Sequence, residues 1–462
     1  LGEQKRYTDT RLDEQHRGMS IKSCPISLVL PTSVGKSYLM NVIDCPGHIN
    51  LCAEATAGLR VADGVVVVID ACEGVMLQTE RVVREAVSHN LPISLVVNKM
   101  DRLITELKLP PNDAFYKIKH EIGMLNEIIL ESWSSRQNLK RMKAHNEGRD
   151  GGERGERGER GGAQGDDRPT LLSPTAGNVC FASTRDRWMF TLHSFAIRVY
   201  SKKGRVPKPT NSKSKNQRRK ETKEDRARRE ARARSTIHET SSFAKRLWGD
   251  WYTDPKTNKM STTPPKATGS KLTVVQYVLE PLWKMYGNIL SSNPERLKKT
   301  LESSLGLRFT TQDLSIDPKS LLRLVMRKWM GEPGSTIHSG ASGFVDMCVN
   351  HIRSPVENAR RKISDTYKGT YRGTQSEREG EDEPVEFVSH LHPHDIVLNA
   401  LNACDANGPL MINVVKMYSD VGGSSSSSGN EHTAAAQDSF ASFGRVMSGT
   451  VRVGQRVRVL GE

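Results

Sequence analysis

Two short apolar runs, Ile26-Ser27-Leu28-Val29-Leu30 and Tyr38-Leu39-Met40-Asn41-Val42-Ile43, flank a brief polar stretch that contains Gly35. Their lengths and the glycine between them predict a β-hairpin with Gly35 in its turn. Further on, Val65-Val66-Val67-Val68-Ile69-Asp70 is a β-branched run too apolar to be half-exposed, which predicts a buried parallel strand. The stretch LQTERVVREAVS carries apolar residues at helical spacing, and Ile93-Ser94-Leu95-Val96-Val97 is another buried strand. Strand, helix, strand in this order predicts a doubly wound α/β sheet, with ligands at the carboxyl ends of its strands. Residues 409–462 return to a strand-like alternation and predict the start of a second, β-rich unit.

Gly35-Lys36-Ser37 has the ending of a phosphate-binding loop. The full pattern, G-x-x-x-x-G-K-[ST], needs a first glycine whose backbone can wrap the phosphates. That position holds Leu30, and Pro31 after it has no N–H to offer. Such a loop also leaves a strand and opens a helix, whereas both flanks here read as strands. The hairpin reading therefore displaces the phosphate loop.

Candidate chemistry lies at two strand ends instead. Asp44-Cys45-Pro46-Gly47-His48 closes the second hairpin strand. An aspartate there can hold magnesium through water, and a nearby glycine can bring a backbone N–H close to a terminal phosphate. Asn98-Lys99-Met100-Asp101 closes the strand that begins at Ile93. A carboxylate at Asp101 can accept two hydrogen bonds from guanine N1–H and N2–H₂, a donor pair that adenine lacks, and a site built on such bonds discriminates by ~10⁴ or more. The Lys99 stem would cover the base and Asn98 would tie neighbouring loops together. Alone, the four residues also read as a polar turn. Their position 54 residues after Asp44, with one strand and helices between, favours guanine binding.

These residues resemble the translational GTPases of the elongation factor G and elongation factor two type. The resemblance includes Glu14-Gln15-His16-Arg17-Gly18-Met19-Ser20-Ile21, similar to that family's switch segment E-x-x-R-G-I-T-I, together with the two strand ends above. It also includes Gly177-Asn178-Val179-Cys180-Phe181-Ala182-Ser183-Thr184, which looks like the strand and loop that close over the guanine. Finer features favour the spliceosomal branch, the GTPases of the U5 small nuclear ribonucleoprotein. They are His48-Ile49-Asn50, the Leu-Pro-Pro segment from Leu107 to Tyr116, and Gly343-Phe344-Val345-Asp346-Met347-Cys348-Val349. Phe243-Ala244-Lys245-Arg246-Leu247-Trp248-Gly249-Asp250 belongs with them, and its Arg-Leu-Trp-Gly-Asp part is shared with elongation factor two. The resemblance covers most of the chain apart from its low-complexity insertions.

The resemblance implies a P-loop-NTPase-like doubly wound GTPase domain over residues 1–400, with insertions at 136–170 and 201–238. A translation-factor-type β-barrel would begin within 405–462, where Phe443-Gly444-Arg445-Val446-Met447-Ser448-Gly449-Thr450 is similar to the family's second domain. The family's phosphate loop precedes the switch segment, so it is expected upstream of Leu1. The barrel is expected to continue past Glu462, within a protein about twice as long or more.

Site roles follow from the same resemblance. Asp44 holds magnesium through water, and Ser20 stands where the family has a threonine ligand to that ion. Cys45, Pro46 and Gly47 line the phosphates, with the Gly47 N–H on the γ-phosphate. His48 positions the attacking water, and Met19 screens that water from solvent. Asn98, Lys99, Met100 and Asp101 hold the guanosine, and Ser183 supports the O6 side. His48 also has a plainer reading as a polar strand-end residue. The implied cofactors are GTP and Mg²⁺. The implied activity is GTP hydrolysis in pre-mRNA splicing, in the nucleus. The implied partners are U5 snRNA and the large scaffold protein and RNA helicase of the U5 snRNP, with neither membrane nor DNA. A ribosomal translocase and a nucleotide-locked scaffold that binds GTP without essential turnover are the alternatives.

Composition changes this picture only locally. The net charge of +15 is concentrated in residues 202–234, which alone carry +11. That segment reads either as an RNA-phosphate or nuclear-localisation patch or as a solvated insertion without a fixed partner. Residues 147–161 contain Gly-Glu-Arg three times over, a charge-balanced stretch that cannot bury a core. The Gly/Ser run 422–429 predicts a loop between strands of the second unit. Seven scattered cysteines without a C-x-x-C pair fit neither a zinc site nor a disulfide framework, and Cys45 reads as tolerated variation.

Overall fold

The computed structural model describes residues 6–33, 35–147, 168–202, 240–254, 260–264, 270–291, 294–330, 340–367, 393–419 and 440–459. The Gly-Glu-Arg repeats, the Gly/Ser run and all but the first residue of the basic run lie outside them.

The hairpin forms where the sequence places it. Strand β1 (Cys24–Pro31) pairs antiparallel with β2 (Ser37–Asp44), in a register that sets Leu30 opposite Tyr38 and Cys24 opposite Asp44. Gly35 sits in the turn at φ +84°, a left-handed conformation that favours glycine. Lys36 and Ser37 therefore follow a turn and enter a strand, and no helix opens there.

The central sheet has the order β3 (Val65–Asp70), β4 (Ile93–Asn98), β5 (Val179–Ser183), β6 (Trp188–Phe190). The first three strands are parallel and β6 is antiparallel to β5. Helix α1 (Leu12–Arg17) precedes the hairpin, and α2 (Cys52–Val61) leads from the hairpin to β3. Helix α3 (Leu77–Ser88) crosses from β3 to β4, α4 (Met100–Thr105) follows β4, and the 37-residue α5 (Pro111–Glu147) packs on α3. Strand β4, flanked by two strands, is buried over Ile93–Val97 as predicted. Strand β3 is not fully buried. Val67 and Ile69 are 5% and 2% exposed and face the core, but Val68 is 57% exposed. The reason is position, because β3 is the edge strand of this sheet and only one of its faces is well covered.

The motif segments meet around one core. Phe115 of the Leu-Pro-Pro segment packs edge-on against Trp248, with ring centroids 5.1 Å apart, and Trp283 Nε1 donates to the Leu109 carbonyl at 2.7 Å. The other face of the sheet is covered by the helix Gly340–His351, whose Met347 and Cys348 pack on Val96, Cys180 and Ala182. A Cβ on Gly343 would lie 2.5 Å from Ser194 Oγ, so this helix approaches the start of α6 (Leu192–Lys202) only with glycine there. Burial pushes the Cys348 thiol up to about 12 and the Cys180 thiol higher still. Asp346, on the same helix, accepts from the Ser33 N–H at 3.0 Å and ties down the hairpin turn.

Strands Met411–Ser419 and Phe440–Ser448 pair antiparallel. With helices Pro355–Thr366 and Pro393–Ala403 they form a separate small core of Ala359, Ile363, Leu401 and Met447. This unit is pinned to α2 and its C-terminal end. Arg445 reaches Asp63 at 2.9 Å and the Val61 carbonyl at 2.8 Å, and Lys416 reaches Glu54. Among the described residues no helix is long and apolar enough to cross a membrane.

Candidate nucleotide site

Three parallel strands bring their carboxyl ends together. At the end of β4 the chain turns through Lys99 at φ +59°, and the side chain of Met100 is fully buried in the core. That anchor fixes where α4 starts. Asn98 Oδ1 accepts from the Lys99 N–H at 2.8 Å, the Thr184 N–H at 3.1 Å and the Thr184 hydroxyl at 3.0 Å. The side chain thus ties the β4 and β5 loops together, the part assigned to it from sequence. Lys99 Nζ lies 2.9 Å from Asp70 Oδ2, which also takes Arg102 at 2.6 Å. Burial alone would raise the Asp70 carboxyl. The Cys72 N–H, Lys99 and Arg102 outweigh it and hold the group below its ordinary value.

Asp101 is 1% exposed. Its Oδ1 accepts from Ser183 Oγ at 2.7 Å, and its Oδ2 lies 3.8 Å from Arg185 Nη1. Ser183 is fully buried and its hydroxyl donates to the Asp101 carboxylate.

Asp44 and Ser20, the residues expected on the phosphate side, both bond to the loop before α1. Asp44 at the end of β2 accepts from Thr8 Oγ1 at 2.5 Å, and Ser20 Oγ donates to Asp9 Oδ1 at 2.7 Å. Ser20 and Asp44 are therefore linked through the consecutive residues Thr8 and Asp9. Glu14 holds this segment in shape. Its buried carboxylate accepts from the Arg11, Ile21 and Lys22 N–H groups, which outweigh burial and keep it ionised below its ordinary value. The donors around Asp44 are carboxylate and hydroxyl oxygens, a hard set that fits magnesium. Among the described residues no cluster of three or more His, Cys, Asp and Glu side chains forms a closed metal cage. An ion here would complete its shell from phosphate and water, as magnesium ordinarily does.

The Asp44–His48 loop is backed by α2. A Cβ on Gly58 would lie 2.6 Å from Cys45 Sγ, so Cys45 occupies a slot that only glycine leaves open. Burial raises the Cys45 thiol, which fits a packing role. Pro46 is buried, whereas Gly47 is exposed and a Cβ there would meet nothing within 4 Å. On the expectation that the Gly47 N–H meets the γ-phosphate, the Gly47→Ala variant keeps the wild-type unfolding midpoint and weakens GTP relative to GDP by about tenfold. Thermal unfolding and paired GTP and GDP titrations on the full-length protein check this. His48 Nδ1 accepts from the Asn50 N–H at 3.2 Å and caps the short helix Ile49–Leu51. A neutral ring so held carries its proton on Nε2. Met19 is half-buried. Among the described residues no hydrogen bond or ion pair joins the phosphate-side group to the base-side group.

Sequence reasoning missed Thr8, Asp9 and Asp70. Each bonds to a partner distant in sequence, and nothing in the local pattern marks Thr8 or Asp9. Asp70 alone carried a signal, as a charged residue ending an apolar parallel strand.

The parallel sheet carries the buried Asp101 carboxylate just past the end of β4, and the separate hairpin carries Asp44 at the end of β2. Residues 2–191 match the family described as the Elongation factor Tu GTP binding domain. It is 37% identical over 457 residues to the 109 kDa U5 small nuclear ribonucleoprotein component GFL of Arabidopsis thaliana. It is equally similar to the 110 kDa component CLO of the same plant. The pre-mRNA-splicing factor cwf10 of Schizosaccharomyces pombe is 33% identical over the same length. Each alignment covers 99% of this chain and 36% of the relative, so the chain spans about a third of the length of the curated relatives it matches.

Proposed function

We propose that the chain forms the guanine-reading part of a GTP-binding U5 snRNP component that acts in pre-mRNA splicing, in the nucleus. The observation that carries the guanine reading is the buried Asp101 carboxylate, oriented by Ser183 at the end of β4. Asn98 fixes the loops on either side, and the Lys99 stem covers the base. The resemblance to U5 components over nearly the whole chain supports the splicing role. Asp44 and Ser20 would hold Mg²⁺, which when bound neutralises phosphate charge. The Gly47 N–H meets the γ-phosphate, and His48 orients the attacking water from Nε2. Such a site needs orientation more than a strong base, because phosphoryl transfer passes through a loose transition state.

The expected partners are U5 snRNA and the large scaffold protein and RNA helicase of that particle. Residues 1–400 are assigned to the GTPase domain and 405–462 to the opening of a β-barrel. Immunoprecipitation of the tagged full-length protein from nuclear extract is expected to recover U5 snRNA with pre-mRNA. Recovery of ribosomal RNA in its place would overturn the splicing assignment in favour of translocation.

A further inference from the structure

The loop after β5 is held from behind by a buried polar chain that the proposed function does not use. Tyr286 lies on the helix Glu280–Ser291, in a part of the sequence far from either strand-end motif. Its ring is fully buried, and its hydroxyl donates to Asp186 Oδ2 at 2.6 Å while accepting from Trp188 Nε1 at 3.0 Å. Asp186 is itself 2% exposed. The Asp186 N–H donates to Ser183 Oγ at 3.2 Å, and Ser183 Oγ donates onward to Asp101. Arg187, between Asp186 and Trp188, is held at φ +58°, a conformation that a non-glycine residue keeps only when its surroundings impose it. Arg323 Nε also grips the loop, at the Arg185 carbonyl, 3.0 Å away.

We propose that Tyr286 and Asp186 are positioning residues for guanine recognition, setting the Asp101 carboxylate through Ser183. A buried carboxylate is tolerated only when it is hydrogen-bonded. Burial raises the Asp186 carboxyl, and the Tyr286 hydroxyl opposes that rise. Without the hydroxyl, Asp186 must turn towards water. Its backbone moves with it, and the N–H that orients Ser183 swings away from the serine oxygen. Asp101 is then without the hydroxyl that fixes the plane of its carboxylate. Recognition that depends on two simultaneous hydrogen bonds is sensitive to that plane, whereas phosphate binding is not. The helix Glu280–Ser291 thereby enters base selection without touching the base.

This inference rests on the guanine reading of Asp101, and the experiment separates the two. GDP and IDP are titrated against the full-length protein by calorimetry. Inosine keeps N1–H and O6 but lacks the 2-amino group, so the GDP-to-IDP affinity ratio reports the second hydrogen bond to Asp101. Tyr286→Phe removes one oxygen from the core and is expected to narrow that ratio about fivefold, as contacting residues of one network commonly couple. Trp188→Phe leaves the Tyr286–Asp186 bond in place and is expected to narrow it less. A merely structural role would lower both affinities together, so a ratio within twofold of wild type in Tyr286→Phe overturns the positioning role. Asp101→Asn is the control. If it leaves base preference unchanged, the guanine reading itself fails. If it changes base preference while Tyr286→Phe does not, only the positioning role fails.

Discussion

Asp101→Asn in the full-length protein is expected to lower GTP affinity by about 10² or more and to raise affinity for xanthosine triphosphate, reversing base preference. In the proposed site the carboxylate would accept from N1–H and the 2-amino group of guanine. An amide keeps one acceptor and replaces the other with a donor, which matches N1–H and the 2-oxo group of xanthine. Orientation of the amide is not left to chance. Ser183 Oγ donates to Oδ1 at 2.7 Å, so the variant's carbonyl oxygen takes that place and its NH₂ takes the place of Oδ2. Competition between GTP and the xanthine nucleotide measures the switch. Unchanged GTP affinity would mean that Asp101 does not contact the base.

The second large effect belongs to His48. Single-turnover hydrolysis by His48→Ala should fall by ~10² or more while GTP affinity stays within a few-fold, because positioning of water matters mainly in the transition state. The Ala variant also loses the cap that Nδ1 provides to the Asn50 N–H. His48→Asn separates the two losses, since its side-chain oxygen can cap but cannot replace the imidazole at Nε2. Equal slowing in both variants assigns the effect to the ring and excludes the cap. Measurements belong on the full-length protein assembled with its ribonucleoprotein partners, with splicing scored in the same extracts. Wild-type hydrolysis at the uncatalysed level, unchanged by either variant, would favour a nucleotide-locked scaffold. Normal splicing without hydrolysis would leave binding alone as the essential event.

What the sequence discloses and what it conceals divide along the range of the forces involved. The hairpin was legible because a turn glycine and two apolar runs lie within a few residues of one another. The β3–α3–β4 unit was legible for the same reason, since period and apolarity are local. Asn98 and Asp101 stood out as candidates because one short segment at a strand end carries both. The exposure of Val68 was not legible, because it depends on how many strands flank β3. The bond from Ser183 to Asp101 was not legible either, because the two residues stand 82 positions apart. Asp186 and Tyr286 stand 100 positions apart and meet only in the folded core, so no periodicity announces them. The close approach of Cys45 to Gly58 and of Ser194 to Gly343 was likewise not legible, because each pair meets only in the fold.

Glu54, on the helix that follows the Asp44–His48 loop, is a junction of three chain segments. It meets Lys22 at 3.0 Å, takes the Ser23 N–H at 3.3 Å, and pairs with Lys416 from the strand Met411–Ser419. Burial alone would raise its carboxyl, but Lys416 and Lys22 together hold it below the ordinary range. Lys22 and Lys416 repel each other and approach only because one negative charge lies between them. A displacement of α2 that follows a change in the Asp44–His48 loop moves that charge relative to both cations at once. The energy of the junction therefore depends on where α2 holds Glu54 between the two lysines, one of them on the strand Met411–Ser419.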